Sequence, residues 1–334
     1  MKPNRFSASS APPHIGQLLL KANLSINELR AMSPFEENAQ KIIDQAVVEV
    51  GLDRLVVAAD IMSAGLTYNL PNALSVMEVQ WERTSHTGGA QRTMSPSARG
   101  ENQLFDRDVK RVPIYLTTDD FSVGIRTLQM SQRIGAPIDT AMVSQATRRV
   151  NEAIEDAMIN GAGIQSDGYT TYGLLNAPNA NPYIYQGGGA GTPWTDGGKS
   201  GQEILDDAMD MIEKLQADKK YGPYTLYVNT AYGNALNMDF KANGSLTILQ
   251  RLLELRVGGS TLNVVSADKI PTDYTILVQK TSDVVDIIMG QSPTVIPWTS
   301  ADGFTLYWMV MAIVVPRVRD DYDGNSGICI GFTS

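Results

Sequence analysis

The chain holds one cysteine, Cys329, and two histidines, His14 and His86, in 334 residues. A single thiol closes no intramolecular disulfide and builds no thiolate-rich zinc site. The histidines stand far apart in loop-like sequence with no nucleophile motif beside either, so a Ser–His–Asp arrangement has no visible home. Cations are also scarce. The 27 Lys and Arg face 36 Asp and Glu, giving a formal net charge of -9 and a pI near 4.8. Tight, sequence-reading contact with nucleic acid needs clustered Lys and Arg to displace counterions, and this balance argues against it. A mildly repulsive wall that only encloses nucleic acid stays open. The longest apolar run, about residues 304–315, is too short to span a bilayer and suits a buried strand. The opening MKPNRFSASSAPPHIG has no apolar signal core, so the expectation is a soluble protein made in a cytoplasm, with no membrane partner.

What is present is enough for a packed core. Hydrophobic residues make up 43% and charged residues 19%, which speaks against global disorder. The length allows two domains or one elongated, subdivided unit.

The sharpest local pattern is PIDTAMVSQATRRVNEAIEDAMING, residues 137–161. Pro137 sits just upstream, Asp139 and Thr140 can accept from first-turn amides, and Asn160-Gly161 tolerates the left-handed end. Val143, Ala146, Val150, Ile154 and Ala157 recur at helical steps. Gln145, Arg148, Arg149, Glu152, Glu155 and Asp156 fall on the other faces, with Arg148–Glu152 and Arg149–Glu155 or Asp156 as weak pairs. A rod of roughly 30 Å with one apolar stripe suits an element lying along a surface.

Ahead of it, residues 1–33 read as an arm rich in Ser, Pro and Asn. Ser33-Pro34-Phe35-Glu36 is a capping box that predicts a helix to about Val50, with a second short helical piece to about Ala64. Residues 76–116 read as a long hairpin. Met77, Val79 and Trp81 alternate with Glu78, Gln80 and Glu82 going out, and Val112, Ile114 and Leu116 recur coming back. A two-stranded ribbon is marginal alone in water, so either it is floppy or a neighbouring subunit holds it.

Beyond the long helix, Gly197-Gly198-Lys199-Ser200 imitates the end of a phosphate-cradling loop. Pro193 stands where that motif needs glycine, and Ser200-Gly201-Gln202-Glu203 is instead a capping box opening a helix to about Ala217. Strands are expected at Leu262–Val265, Thr275–Gln279, Val284–Met289, Val295–Trp298, Leu306–Val315 and Ile328–Phe332, an antiparallel tail that makes the class α+β.

Three acidic clusters are candidates for chemistry. Asp119-Asp120 precedes a helix and suits its positive end. Asp206-Asp207 with Asp210 falls on the exposed side of a helix. Asp320-Asp321 with Asp323, in RVRDDYDGNSG, spaces Asp321, Asp323 and Asn325 like a calcium loop but lacks that loop's glycine and bidentate glutamate. A soluble enzyme built on Asp321 and Asp323 is the remote alternative. No catalytic, cofactor-binding or metal-ligating residue is expected.

The run from Asp108 to Pro178 resembles the shell proteins of the Hong Kong 97-type fold, the tailed-phage major capsid proteins and the related encapsulins. The resemblance is carried by Arg133, Gly135, Pro137 and Asp139 opening the long helix, by Asn160-Gly161 closing it, and by Gly173-Leu174-Leu175-Asn176 after it. It continues more weakly through Glu203–Leu215 and GPYTLYVN. It implies an N-terminal arm (1–33), an N-terminal helical segment (34–75), an extension loop (76–116), a peripheral domain with a spine helix at 139–160 (117–177), an axial domain (178–280), and peripheral strands with the C-terminus (281–334). It also implies copies of this chain as the main partner, in pentamers and hexamers of an icosahedral shell around double-stranded DNA without sequence-specific contact. Portal, scaffolding and decoration proteins are further candidate partners, the place is the virion, and assembly is in the bacterial cytoplasm. The long arm and long hairpin tip favour the phage shell over an encapsulin enclosing a cargo enzyme.

Overall fold

The computed structural model describes residues 55–85, 92, 94, 105–134, 140–186, 191–241, 244, 246–257 and 259–333. The expected arm, the capped helix at Ser33–Val50, most of the hairpin tip with His86, and the Gly135–Asp139 turn lie outside these residues, as does His14.

The described chain begins with α1 (Val57–Ser63), β1 (Thr67–Asn69) and a 3-10 turn at Ala73–Ser75. The ribbon strands follow as β2 (Glu78–Thr84) and β3 (Arg107–Pro113). Then come β4 (Thr117–Gly124), α2 (Ile125–Ile134), the long α3 (Thr140–Asn160), the small hairpin β5 (Gln165–Ser166) and β6 (Tyr169–Thr170), and β7 (Asn181–Ile184). The second half runs α4 (Gly201–Ala217), β8 (Tyr224–Asn229), α5 (Thr230–Ala235), α6 (Ile248–Leu253), β9 (Arg256–Val257), β10 (Ser260–Thr261), β11 (Asn263–Ala267), β12 (Tyr274–Gln279), β13 (Val285–Thr299), β14 (Thr305–Val318) and β15 (Ile328–Phe332).

Two sheets organise these elements. One has the order β1-β13-β14-β4 and the other β11-β8-β12-β15-β7. The central strands of the second sheet are apolar at nearly every position because both of its faces are covered. Tyr227, Ile276, Val278 and Ile328 point into the core shared with α3 and the first sheet. Their neighbours Leu226, Val228, Leu277 and Cys329 point into a second core built with α4 and α6.

The stripe on α3 forms as the spacing predicts: Val143, Ala146, Val150, Ile154 and Ala157 are all buried. The expectation of a surface rod fails for the C-terminal half, where Asn151, Glu155, Met158 and Ile159 are buried as well. The cause is packing from remote sequence, since α1 and the Gly173–Asn176 segment cover that half. The amides of Leu174 and Leu175 donate to the carbonyls of Met158 (3.0 Å) and Ile159 (2.8 Å), so this segment satisfies helix-end acceptors. Gly161 follows with φ of 79°. Gly173 is required by the close approach, because a Cβ there would lie 2.3 Å from the Gly161 nitrogen.

The tail differs from expectation in two ways. Val284–Met289 and Val295–Trp298 are one strand, β13, with register shifts between Met289 and Gln291 and between Gln291 and Thr294. A bulge carries the strand across the polar Gln291–Ser292 stretch that looked like a break. The last strand, β15, sits between β12 and β7 in the second sheet, so residues 281–334 divide between the two sheets. There Ile328 and Cys329 each fill one of the two cores flanking that sheet.

Candidate functional site

The ribbon is the most unusual element, and the structure gives it a mount on its own chain. β2 and β3 pair antiparallel from Glu78 opposite Pro113 to Thr84 opposite Arg107. At the root, Val79 and Val112 are buried against Ile288 and Val315, with Trp81 and Ile114 packed alongside. Met77 and Leu116, expected to face inward, are exposed at 76% and 50%, while their neighbours Val76 and Tyr115 pack against the cluster. Further out, Arg83 donates to Asp320 Oδ1 (2.7 Å), to the Asp321 carbonyl (3.1 Å) and to Asp108 on the opposite strand. Beyond that, the Ser85 amide donates to the Asp106 carbonyl at 2.9 Å, and the Asp106 amide to Ser85 Oγ at 3.0 Å. The described base of the ribbon is therefore fixed by its own chain, an arrangement outside the two alternatives, floppy or held by a neighbour, that the sequence suggests.

The acidic cluster at 320–323 is a tie point. Asp320 is buried and also accepts from Asn179 Nδ2 at 2.7 Å. Asp321 lies 3.4 Å from Lys220 Nζ, which reaches Asp283 at 2.8 Å. Burial raises the Asp283 carboxyl, but the bonds from Lys220 and Thr281 and the Lys220 charge together outweigh it and leave the group below the ordinary range. The Arg83 bond holds Asp108 below that range too. Close by, Arg317 grips Asp286 through both carboxylate oxygens, and Arg319 reaches the same residue at 2.7 Å. The cluster thus ties the ribbon, the loop after α3 and the segment after α4 together, and its carboxylates face cations and amides.

The other two acidic clusters differ from expectation. Asp119 and Asp120 lie within β4, Asp119 pairing with Arg149 of α3 at 3.0 Å and Asp120 facing outward. Burial and the Asp119 charge raise the Asp120 carboxyl. Arg149 therefore spends its charge on a strand, not on Glu155 or Asp156, while Arg148–Glu152 forms at 3.2 Å as expected. Asp207 is buried, not exposed. Lys199 Nζ lies 2.6 Å from Asp207 Oδ2, and both side chains are at most 1% exposed. Trp194 Nε1, Tyr183 Oη and the Gln186 amide donate to the same carboxylate at 2.9, 2.9 and 3.0 Å. The false phosphate loop is thereby explained: its lysine is buried against α4, and Ser200 caps α4 in a full capping box with Glu203. Sequence reading missed this pair because its partners are scattered over a glycine-rich loop and a helix.

Cys329 is buried, and that burial pushes its thiol up to about 12. A cleft of about 200 Å³ lies at the ribbon base, lined by Trp81, Lys110, Tyr169, Tyr172, Arg317 and Asp320 among others. Its walls are aromatic and mainly cationic. Among the described residues, no group of three His, Cys, Asp or Glu is placed to hold a metal ion. No helix among them is long and apolar enough to cross a membrane.

The family model described as "Family of unknown function (DUF6260)" matches residues 30–331. The chain belongs to that family. No curated protein matches the sequence. Among solved structures, the DUF6260 chain is similar to the virus-like particle from Pyrococcus furiosus, with a TM-score of 0.61 at 14% identity over 87% of this chain and 98% of that one. It is similar to the capsid of Myoviridae phage XM1, with a TM-score of 0.62 at 12% identity over 84% and 94%. A chain of Microbacterium phage Oxtober96 gives 0.58 at 11% over 94% and 100%. These likenesses establish the fold of this DUF6260 member as the Hong Kong 97-type.

Proposed function

We propose that this chain is a major capsid protein, whose copies assemble into the closed icosahedral shell of a tailed phage around double-stranded DNA. The observation that carries this reading is the fold, shared over 84% of this chain with capsid subunits of phage XM1 and of the GTA particle. In this reading the ribbon is the extension loop and α3 the spine of the peripheral domain. The five-stranded sheet with α4 and α6 is the axial domain that meets its copies around five-fold and six-fold centres. The role is structural, not catalytic, and the ion pairs around Asp207 and Asp320 support that by serving as ties. Shell assembly makes the virion its place, with portal, scaffolding and decoration proteins as candidate partners.

The likeness to the Pyrococcus furiosus particle supports a second reading, an encapsulin-type compartment around a cargo enzyme. Expression followed by electron microscopy tests the shared part: closed particles are expected, and a monomer under every assembly condition defeats both readings. The content of particles from native cells separates them, double-stranded DNA for the phage shell and protein cargo for the compartment.

A further inference from the structure

The described base of the ribbon has two separate fixings. The first is apolar, with Val79 and Val112 on Ile288 and Val315. The second is ionic and lies four residues further out, ~13 Å along the strand. There Arg83 bonds Asp320 and the Asp321 carbonyl on the body, and Asp108 on the other strand. One fixing defines a pivot, whereas two define a direction. The ionic fixing is not a loose loop contact. Arg83 has only 12% of its side chain exposed, and Asp320 5%. Asn179 holds Asp320 from behind, and Lys220 holds Asp321.

We propose that Arg83 is a positioning residue that sets the angle at which the described base of the ribbon leaves the body. This rests on reading the ribbon as the assembly arm. The bond to Asp108 makes the control apply to both strands at once. The Asn179 and Lys220 contacts make the angle depend on the loop after α3 and on the segment leading to β8.

Amide hydrogen exchange on the purified subunit, read beside electron micrographs of particles, tests this. In the wild type, amides of β2 and β3 paired across the ladder are protected out to Thr84 and Arg107. In Arg83→Leu, exchange at 81–84 and 107–110 rises by about tenfold or more, while 78–80 and 111–113 stay protected. Its particles lose their uniform diameter. The conservative Arg83→Lys keeps a cation between Asp320 and Asp108 and retains both readouts, which also covers the case where Arg83→Leu is insoluble. Unchanged exchange in Arg83→Leu overturns the ionic fixing. Raised exchange with particles as uniform as wild type overturns the positioning role. An Arg83→Lys variant that loses both readouts as Arg83→Leu does overturns the positive charge as the cause. Because exchange is read on the subunit, failure of the wild type to form any particle counts against the capsid reading and leaves the exchange result to decide the fixing.

Discussion

The Glu155 carboxylate, on the buried side of α3, caps the helix that begins at Val57. Its oxygens accept from the amides of Val57 (2.7 Å) and Ala58 (3.1 Å). The two elements are nearly a hundred residues apart in sequence, and this bond is the polar part of the packing between α1 and α3. Burial raises the Glu155 carboxyl above its ordinary value, with the amide bonds opposing.

Glu155→Ala strips two first-turn amides of their acceptor inside the core. A loss of about 1–3 kcal/mol is expected, with Glu155→Gln losing less because one oxygen remains. Chemical denaturation of the unassembled subunit measures it. An Ala variant as stable as wild type would remove the capping role.

The Lys199–Asp207 pair responds differently to single and double changes. Lys199→Met leaves a buried carboxylate without its cation and costs about 3–5 kcal/mol. Lys199→Met with Asp207→Leu removes both charges and recovers part of that loss, though Trp194 and Tyr183 lose their acceptor. The four urea midpoints of this cycle give the coupling, and additive losses would mean the pair is not coupled.

Acid acts on the fold with two signs. The folded pKa values of Asp108 and Asp283 are lowered, so their contribution is present above the ordinary aspartate value and is lost as pH falls through the folded values. Glu155 is raised, so its contribution is present below the ordinary glutamate value and is lost as pH rises through its own folded value. In Asp283→Asn the stability deficit against wild type should shrink as pH drops below about 4. Glu155→Gln should lose the opposite slope, steepening the fall on the acid side. Stability curves between pH 3 and 7 check both signs.

Gly173→Ala forces a methyl against the backbone of Gly161 and Ile159, at 2.3 and 2.6 Å before relaxation. Neither neighbour is a side chain that can turn away. A loss of about 1–3 kcal/mol or more is expected, with the end of α3 loosened first. Thermal melts together with amide exchange at Leu174 and Leu175 report it.

Elements with a clean period were legible in the residues alone. The α3 stripe, the α4 capping box and the β2–β3 alternation each rest on contacts a few positions apart, which is what local spacing encodes. The charged residues Glu155 and Asp207 were read as exposed because charge normally marks a solvated face. Their partners, Val57 and Lys199, come from distant or irregular segments, and no local pattern announces them. The pairing of β15 was hidden for the same reason. Alternation shows that Ile328 and Cys329 face opposite ways, but not which sheet receives them. The ribbon mount depended on Arg83 finding Asp320 across most of the chain, so composition could suggest only that something must hold it.

The position of Cys329 gives the protein a built-in clock. With its thiol sealed inside the five-stranded sheet and reluctant to ionise, ordinary alkylating reagents have nothing to attack while the strands stay closed. No other cysteine competes for the label. The rate at which label accumulates in a native sample therefore times the opening of that sheet, in free subunits and in any larger assembly alike.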